Sequence, residues 1–127
     1  MNVLLADRSK QIRNRIENLV KGICDDVTVF HTDSNFDAMQ HVKNNIFDVI
    51  LFDLDLLDGS GFKLLSITRS IPYKPIKIIF TNHVQNNLRD VSYKLGVNYF
   101  LNKSQDFLKI KKIINCINEK ERMSRKS

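Results

Sequence analysis

Tryptophan is absent from the chain, and only four glycines, two prolines and two cysteines occur in it. No apolar stretch approaches the roughly 20 residues that cross a bilayer, so a membrane helix is excluded. The first apolar run, Val3 to Ala6, is too short for a secretory leader and meets Asp7 and Arg8 at once. A cytoplasmic protein is therefore expected. Cys24 and Cys116 lack metal-ligand spacing, as do His31, His41 and His83, and the cysteines read as small hydrophobes in a reducing compartment. Helix-turn-helix, finger and stacking-aromatic patterns are also missing, which bears on the formal charge of +6. Eight Lys/Arg against three acids between Lys103 and Ser127 supply five of those charges, so the rest of the chain is nearly neutral. Such a segment reads as the solvated face of a terminal helix rather than a nucleic-acid stripe. A length of 127 residues fits one domain with a substantial core and leaves no room for an attached effector.

What is present is a repeated alternation of short apolar strands and amphipathic helices. Asn2 to Ala6 reads as a buried strand, followed by a helix from Ser9 to about Lys21 that stops near Gly22, with Ile12, Ile16, Leu19 and Val20 at helical spacing. Asp26 to His31 alternates and is β-branched, as an edge strand would be. Ser34 and Asp37 form a variant capping box for a helix carrying Phe36, Met39 and Val42. Val49 to Phe52 is too short and too uniformly apolar for an amphipathic helix, and reads as a strand covered on both faces. It stops on Asp53, and the glycine-containing turn to Gly61 follows. Ser60 then caps a third helix, Pro72 and Pro75 delay the strand Lys77 to Thr81, and Val84, Leu88, Val91 and Leu95 mark a fourth helix closed by Gly96. Val97 to Leu101 is the fifth strand. Ser104 caps a last helix with Phe107, Ile110, Ile113, Ile114 and Ile117 inward, and the charged segment from Glu119 frays.

Five strands alternating with five helices predict a doubly wound parallel sheet with right-handed crossovers. In that fold the carboxyl ends of the strands meet along one edge. Asp7, Asp53, Thr81 and Lys103 would converge there from four strand ends.

In these residues the chain resembles the receiver domain of bacterial two-component response regulators. The acceptor turn Asp53-Leu-Asp-Leu-Leu-Asp-Gly-Ser-Gly61 and the lysine strand Leu95-Gly-Val-Asn-Tyr-Phe-Leu-Asn-Lys103 carry the flanking likeness. The resemblance implies a (βα)5 flavodoxin-like fold with strand order 2-1-3-4-5, a receiver domain over 1–120 and a short basic tail over 121–127. It implies a single-domain response regulator in which Asp53 accepts a phosphoryl group from a sensor histidine kinase or histidine phosphotransfer protein, aided by Thr81 and Lys103. It further implies Mg2+ held by Asp7, Asp53 and the backbone carbonyl of Asp55, and a switch linking Thr81 to Phe100. Output would pass by protein contact to a downstream partner, or to a second copy, through the fourth helix, fifth strand and fifth helix.

Three positions depart from the family pattern: Arg8 stands where a second acid is usual, Leu57 in place of a proline, and Ser104 in place of the proline after the lysine. The Arg8 departure implies weak magnesium binding. It also motivates a second function, a docking module that takes no phosphate, with the Arg8 guanidinium permanently satisfying Asp7 and Asp53. The pair Asp53-Leu-Asp55 followed by Thr81 and Lys103 also resembles haloacid-dehalogenase-type phosphatases, which need a further acidic pair after the lysine strand. Only Asp106, Glu119 and Glu121 follow it here.

Overall fold

The computed structural model describes residues 1–126, with only the backbone for Arg125 and Lys126. Five parallel strands, β1 (Asn2–Ala6), β2 (Thr28–Thr32), β3 (Val49–Phe52), β6 (Ile76–Thr81) and β7 (Tyr99–Asn102), form one sheet in the order β2-β1-β3-β6-β7. This is the expected flavodoxin-like order, and β2 lies at an edge as its alternating pattern predicts. The sequence reading has no counterpart for one element, a hairpin of β4 (Asp55–Leu56) and β5 (Gly59–Ser60) inside the turn after Asp53.

Alternation along each strand divides the core into two layers. Val3, Leu5, Val49, Leu51, Ile78 and Phe80 pack against α1 (Lys10–Ile23) and α5 (Phe107–Lys126) through Ile16, Val20, Ile110 and Ile114. Leu4, Ala6, Ile50, Phe52 and Ile79 face α2 (Asn35–Asn44) and α3 (Phe62–Thr68), with Leu88 and Leu95 from the α4 side (α4 spans Asn86–Lys94) packed at the margin. Each fully buried Leu, Ile or Phe contributes about 1.5–3 kcal/mol over its exposed state, so the two layers hold the strand register firmly.

Several local expectations are corrected. Helix α1 is capped by Ser9, whose Oγ accepts from Ile12 N at 3.2 Å, but runs through Gly22 to Ile23, because Gly22 has ordinary helical backbone and stands in open space. Ser34 does cap α2 and Val42 is buried as expected, yet Phe36 is exposed, and Asn35 and Ala38 take the buried places expected of Phe36 and Met39. Ser60 belongs to the hairpin and Gly61 is the residue that precedes α3, although Ser60 Oγ accepts from Phe62 N, the first of that helix, at 3.2 Å. Val84 lies ahead of α4 and Val91 on its exposed side, so the expected apolar stripe is only half used. Ser104 sits in a turn, and α5 begins at Phe107. That helix passes Glu119 without fraying and continues to Lys126, with a Glu119–Arg122 ion pair at 3.7 Å along its exposed side; Ser127 lies outside the described residues.

Candidate functional site

Strand register assembles the site. Ala6 pairs with Phe52, so the next residue on each neighbouring strand is a carboxylate, Asp7 beside Asp53. Thr81 pairs with Asn102, which puts Lys103 one step past the last pair. Main-chain bonds continue the ladder beyond the strands: Asp7 N donates to Thr32 O at 3.0 Å, Asp53 N to Ala6 O at 3.0 Å and Lys103 N to Thr81 O at 2.9 Å. The positions of these side chains are therefore set by the sheet, not by loose loops.

All four are largely buried: Asp7 is 2% exposed, Asp53 6% and Thr81 0%, and the Lys103 side chain 11%. The Lys103 ammonium lies 2.7 Å from Asp53 Oδ2 and 2.7 Å from Asp7 Oδ2. Burial is the largest single influence on Lys103 and pushes its pKa down. The hydrogen bonds and charges of Asp53 and Asp7 together outweigh it, and the net direction is upward from 10.5. Asp7 Oδ1 accepts from Ser9 N at 2.8 Å, which ties that carboxylate to the start of α1. Asp53 Oδ1 is buried and has no hydrogen-bond partner among the described residues, and Asp7 Oδ2 has only the ionic contact with Lys103. Unpaired buried oxygen is costly, and it marks where a ligand can be received.

Thr81 Oγ1 accepts from His83 N at 3.2 Å and keeps its hydroxyl hydrogen to donate elsewhere. Phe100 pairs with Ile79, two residues before Thr81, so Phe100 and Thr81 share one face of the sheet. Phe100 is 4% exposed, with its N–H donating to Tyr93 Oη at 3.2 Å and the Arg89 guanidinium 5.6 Å from the ring centre.

Arg8 is not where the docking reading puts it. Its guanidinium meets Asp55 Oδ1 at 3.5 Å, with both side chains about half exposed, while Lys103 neutralises Asp7 and Asp53. The reason is geometric: Asp7 is the inward residue at the end of β1, and its successor on the chain turns outward to the rim. The phosphatase reading also lacks its acids, since Asp106 accepts from Asn102 N at 2.8 Å and pairs with Lys109 at 3.2 Å, away from Asp53.

Other residues emerge that sequence reasoning misses. Asn35, 2% exposed, accepts from Leu64 N at 3.1 Å and donates to Ser60 O at 3.0 Å, joining α2, α3 and the hairpin. Asp58 accepts from Asn35 N at 2.7 Å and Phe36 N at 3.0 Å, and these bonds hold its carboxyl below the ordinary range. Asp58 thus clamps the acceptor turn to the start of α2. An asparagine one residue after a capping serine was the available signal for Asn35. At Gly61 an added Cβ would stand 2.2 Å from the Asp53 carbonyl oxygen, so only glycine lets the hairpin close against the acceptor residue.

The donor set suits a hard divalent cation. No three described His, Cys, Asp or Glu side chains converge on a metal position. Magnesium, however, takes one or two carboxylates and retains water, and Asp7 and Asp53 offer oxygens without hydrogen-bond partners.

A doubly wound sheet with an acid pair, a hydroxyl and a lysine at its carboxyl edge is the arrangement expected of a receiver domain. The chain belongs to the response regulator receiver domain family, whose pattern matches residues 3–115. It is similar in structure to the receiver domain of a DNA-binding response regulator (merR) from Colwellia psychrerythraea 34H, with a TM-score of 0.85 and 19% identity over 94% of this chain and 98% of that one. The Mn(2+)-bound form of response regulator Rcp1 gives 0.77 and 22% over 91% and 90%. The beryllofluoride-activated NtrC4 receiver domain dimer gives 0.81 and 19% over 94% and 97%. No curated protein matches the chain.

Proposed function

We propose that Asp53 takes a phosphoryl group from a phosphohistidine of a sensor histidine kinase or histidine phosphotransfer protein, and that the product signals by protein contact. The observation that carries this reading is the buried Asp53 carboxylate with one oxygen held by Lys103 and the other unpartnered. A carboxylate oxygen forms the new P–O bond as the P–N bond breaks, and the imidazole leaves with the bonding pair and takes up a proton. The incoming group is anionic and approaches two carboxylates, so catalysis is a matter of position and neutralised charge. Lys103 moves from pairing the free carboxylates to pairing a phosphoryl oxygen, and Thr81 donates its hydroxyl hydrogen to another. Magnesium, when held by Asp7, Asp53 and the Asp55 main-chain carbonyl, supplies the remaining neutralisation. The protein is thus a cytoplasmic phosphoacceptor that turns over no external substrate beyond its own phosphorylation and dephosphorylation. Among the described residues no helix is long and apolar enough to cross a membrane.

Output passes through α4, β7 and α5. Thr81 and Phe100 share the face that α4 covers, and Val91, Tyr99 and Leu108 expose apolar surface on these three elements. Lys111 and Lys112 stand exposed on α5 beside them and favour an acidic partner, or an acidic patch of a second copy.

Intact mass after treatment with acetyl phosphate and magnesium tests the assignment. One added phosphoryl group is expected in the wild type and none in Asp53→Asn. Undiminished labelling of the Asn variant would overturn it.

A further inference from the structure

At the pole opposite Asp53, about 16 Å down β6 from Thr81 at strand rise, the amino ends of β6 and β7 and the carboxyl ends of α3 and α4 border an open cleft of about 500 Å³. Arg69, Lys74, Lys77 and Lys94 line it, and no acidic side chain does. None of the four makes an ion pair among the described residues. The negative ends of α3 and α4 account for Arg69 and Lys94, since cations are favourable at helix carboxyl termini. They do not account for Lys74 in the loop or for Lys77 within β6.

Lys77 is the informative residue. It lies in a strand whose next four residues are buried, on the face that Ile79 lends to the core. Its backbone is fixed on both sides, with Lys77 N donating to Asn98 Oδ1 at 2.8 Å and Asn98 N donating to Lys77 O at 2.9 Å. Its ammonium lies across the turn at Gly96, 3.4 Å from where a Cβ would stand, and the φ of +99° at that turn favours glycine. Burial, then the charges of Arg69 and Lys74, lower its pKa. A partly buried ammonium that shares its cleft with three other cations and no carboxylate breaks the usual pairing of buried charge, as is expected where an anionic ligand is received.

We propose that this cleft binds a small molecule through a diphosphate group, held by Lys77 and Arg69 with Lys74 and Lys94 at the rim. Arginine forks onto two phosphate oxygens while lysine acts as a point charge, so the set suits adjacent phosphates. The volume is that of a small-molecule site. Ile71 and Leu95 provide apolar wall for whatever the diphosphate carries.

Calorimetric titration at constant ionic strength with inorganic pyrophosphate, ADP and inorganic phosphate tests this. Pyrophosphate and ADP should each bind at least tenfold more tightly than phosphate. ADP tighter than pyrophosphate identifies a nucleotide-type ligand, and equal affinities identify the diphosphate group alone as what is read. Lys77→Met should weaken pyrophosphate at least tenfold, raise the thermal midpoint without ligand, and leave labelling of Asp53 by acetyl phosphate unchanged. Should that variant not fold, the Arg69→Gln, Lys74→Gln double variant should show the same tenfold loss. Amide shifts on adding pyrophosphate should centre on Lys77, Gly96 and Asn98. Equal affinity for all three anions, no loss in the variants, or shifts centred on Asp53 and Lys103 would each overturn the proposal.

Discussion

Asp53 Oδ2 and Lys103 Nζ meet at 2.7 Å although fifty residues of chain separate them, and the same ammonium reaches Asp7 Oδ2 at 2.7 Å. One cation thus holds two buried carboxylates that strand register forces side by side. Lys103→Met leaves those carboxylates uncompensated, and should cost about 3 kcal/mol of stability at pH 7. Because Lys103 is held above 10.5 when folded, its contribution is complete below that value and is lost as pH rises through the folded pKa. Urea midpoints for wild type and variant should therefore draw together as pH rises past the ordinary lysine range, and a difference that stays constant through that range would contradict the pairing.

Gly61→Ala tests the packing of the acceptor turn. A Cβ 2.2 Å from the Asp53 carbonyl must displace backbone, at a cost of about 1–3 kcal/mol as for other overpacked sites. Phosphorylation should slow more than stability falls, since the displaced atom belongs to the acceptor residue itself. Gly22→Ala, in open space on α1, is the contrasting substitution and should raise stability by roughly 0.5–1 kcal/mol.

Arg8 at the rim predicts weak metal binding. Changing Arg8→Asp reverses a charge near the pocket and should tighten magnesium by up to about thirtyfold, the unscreened scale of a two-unit charge change acting on a divalent ion at roughly 8 Å in water, and by less as salt screens it. It also removes the Arg8–Asp55 contact, which is half exposed and contributes little to stability. Equal magnesium affinities by calorimetry would mean that Arg8 has no influence on the pocket.

Charge reversal at Lys111→Glu with Lys112→Glu probes the output surface. Partner binding should weaken, and the remaining binding should depend less on salt. Unchanged affinity would move the surface away from α5.

Four of the five sheet strands and the residues that converge from them were legible in the sequence because each is a short apolar run ending on or next to Asp7, Asp53, Thr81 or Lys103, while β2 was legible from its β-branched alternation. Phe36, Ser60 and Ser104 show where local reading runs out. Phe36 has the spacing of a core residue, but α2 is rotated so that the smaller Ala38 packs instead. Ser60 and Ser104 have capping chemistry, but local turns use it otherwise: Ser60 pairs in a tight hairpin, and Ser104 bonds Asn102 two residues back. Asn35 and Asp58 were hidden because they act between elements, and no periodicity records a contact across 23 to 29 residues of chain. Arg8 was visible as a departure, while its direction toward Asp55 depended on which way the chain turns after β1.

Borohydride reduction of the acetyl-phosphate-treated protein, followed by peptide mapping, tests the central claim most directly, because an aspartyl phosphate is reduced to homoserine at the residue that carried it. The account predicts homoserine at position 53 alone, and strongly reduced yield in Lys103→Met. Homoserine at 7, 55 or 58, or none anywhere while the mass gain persists, would contradict it.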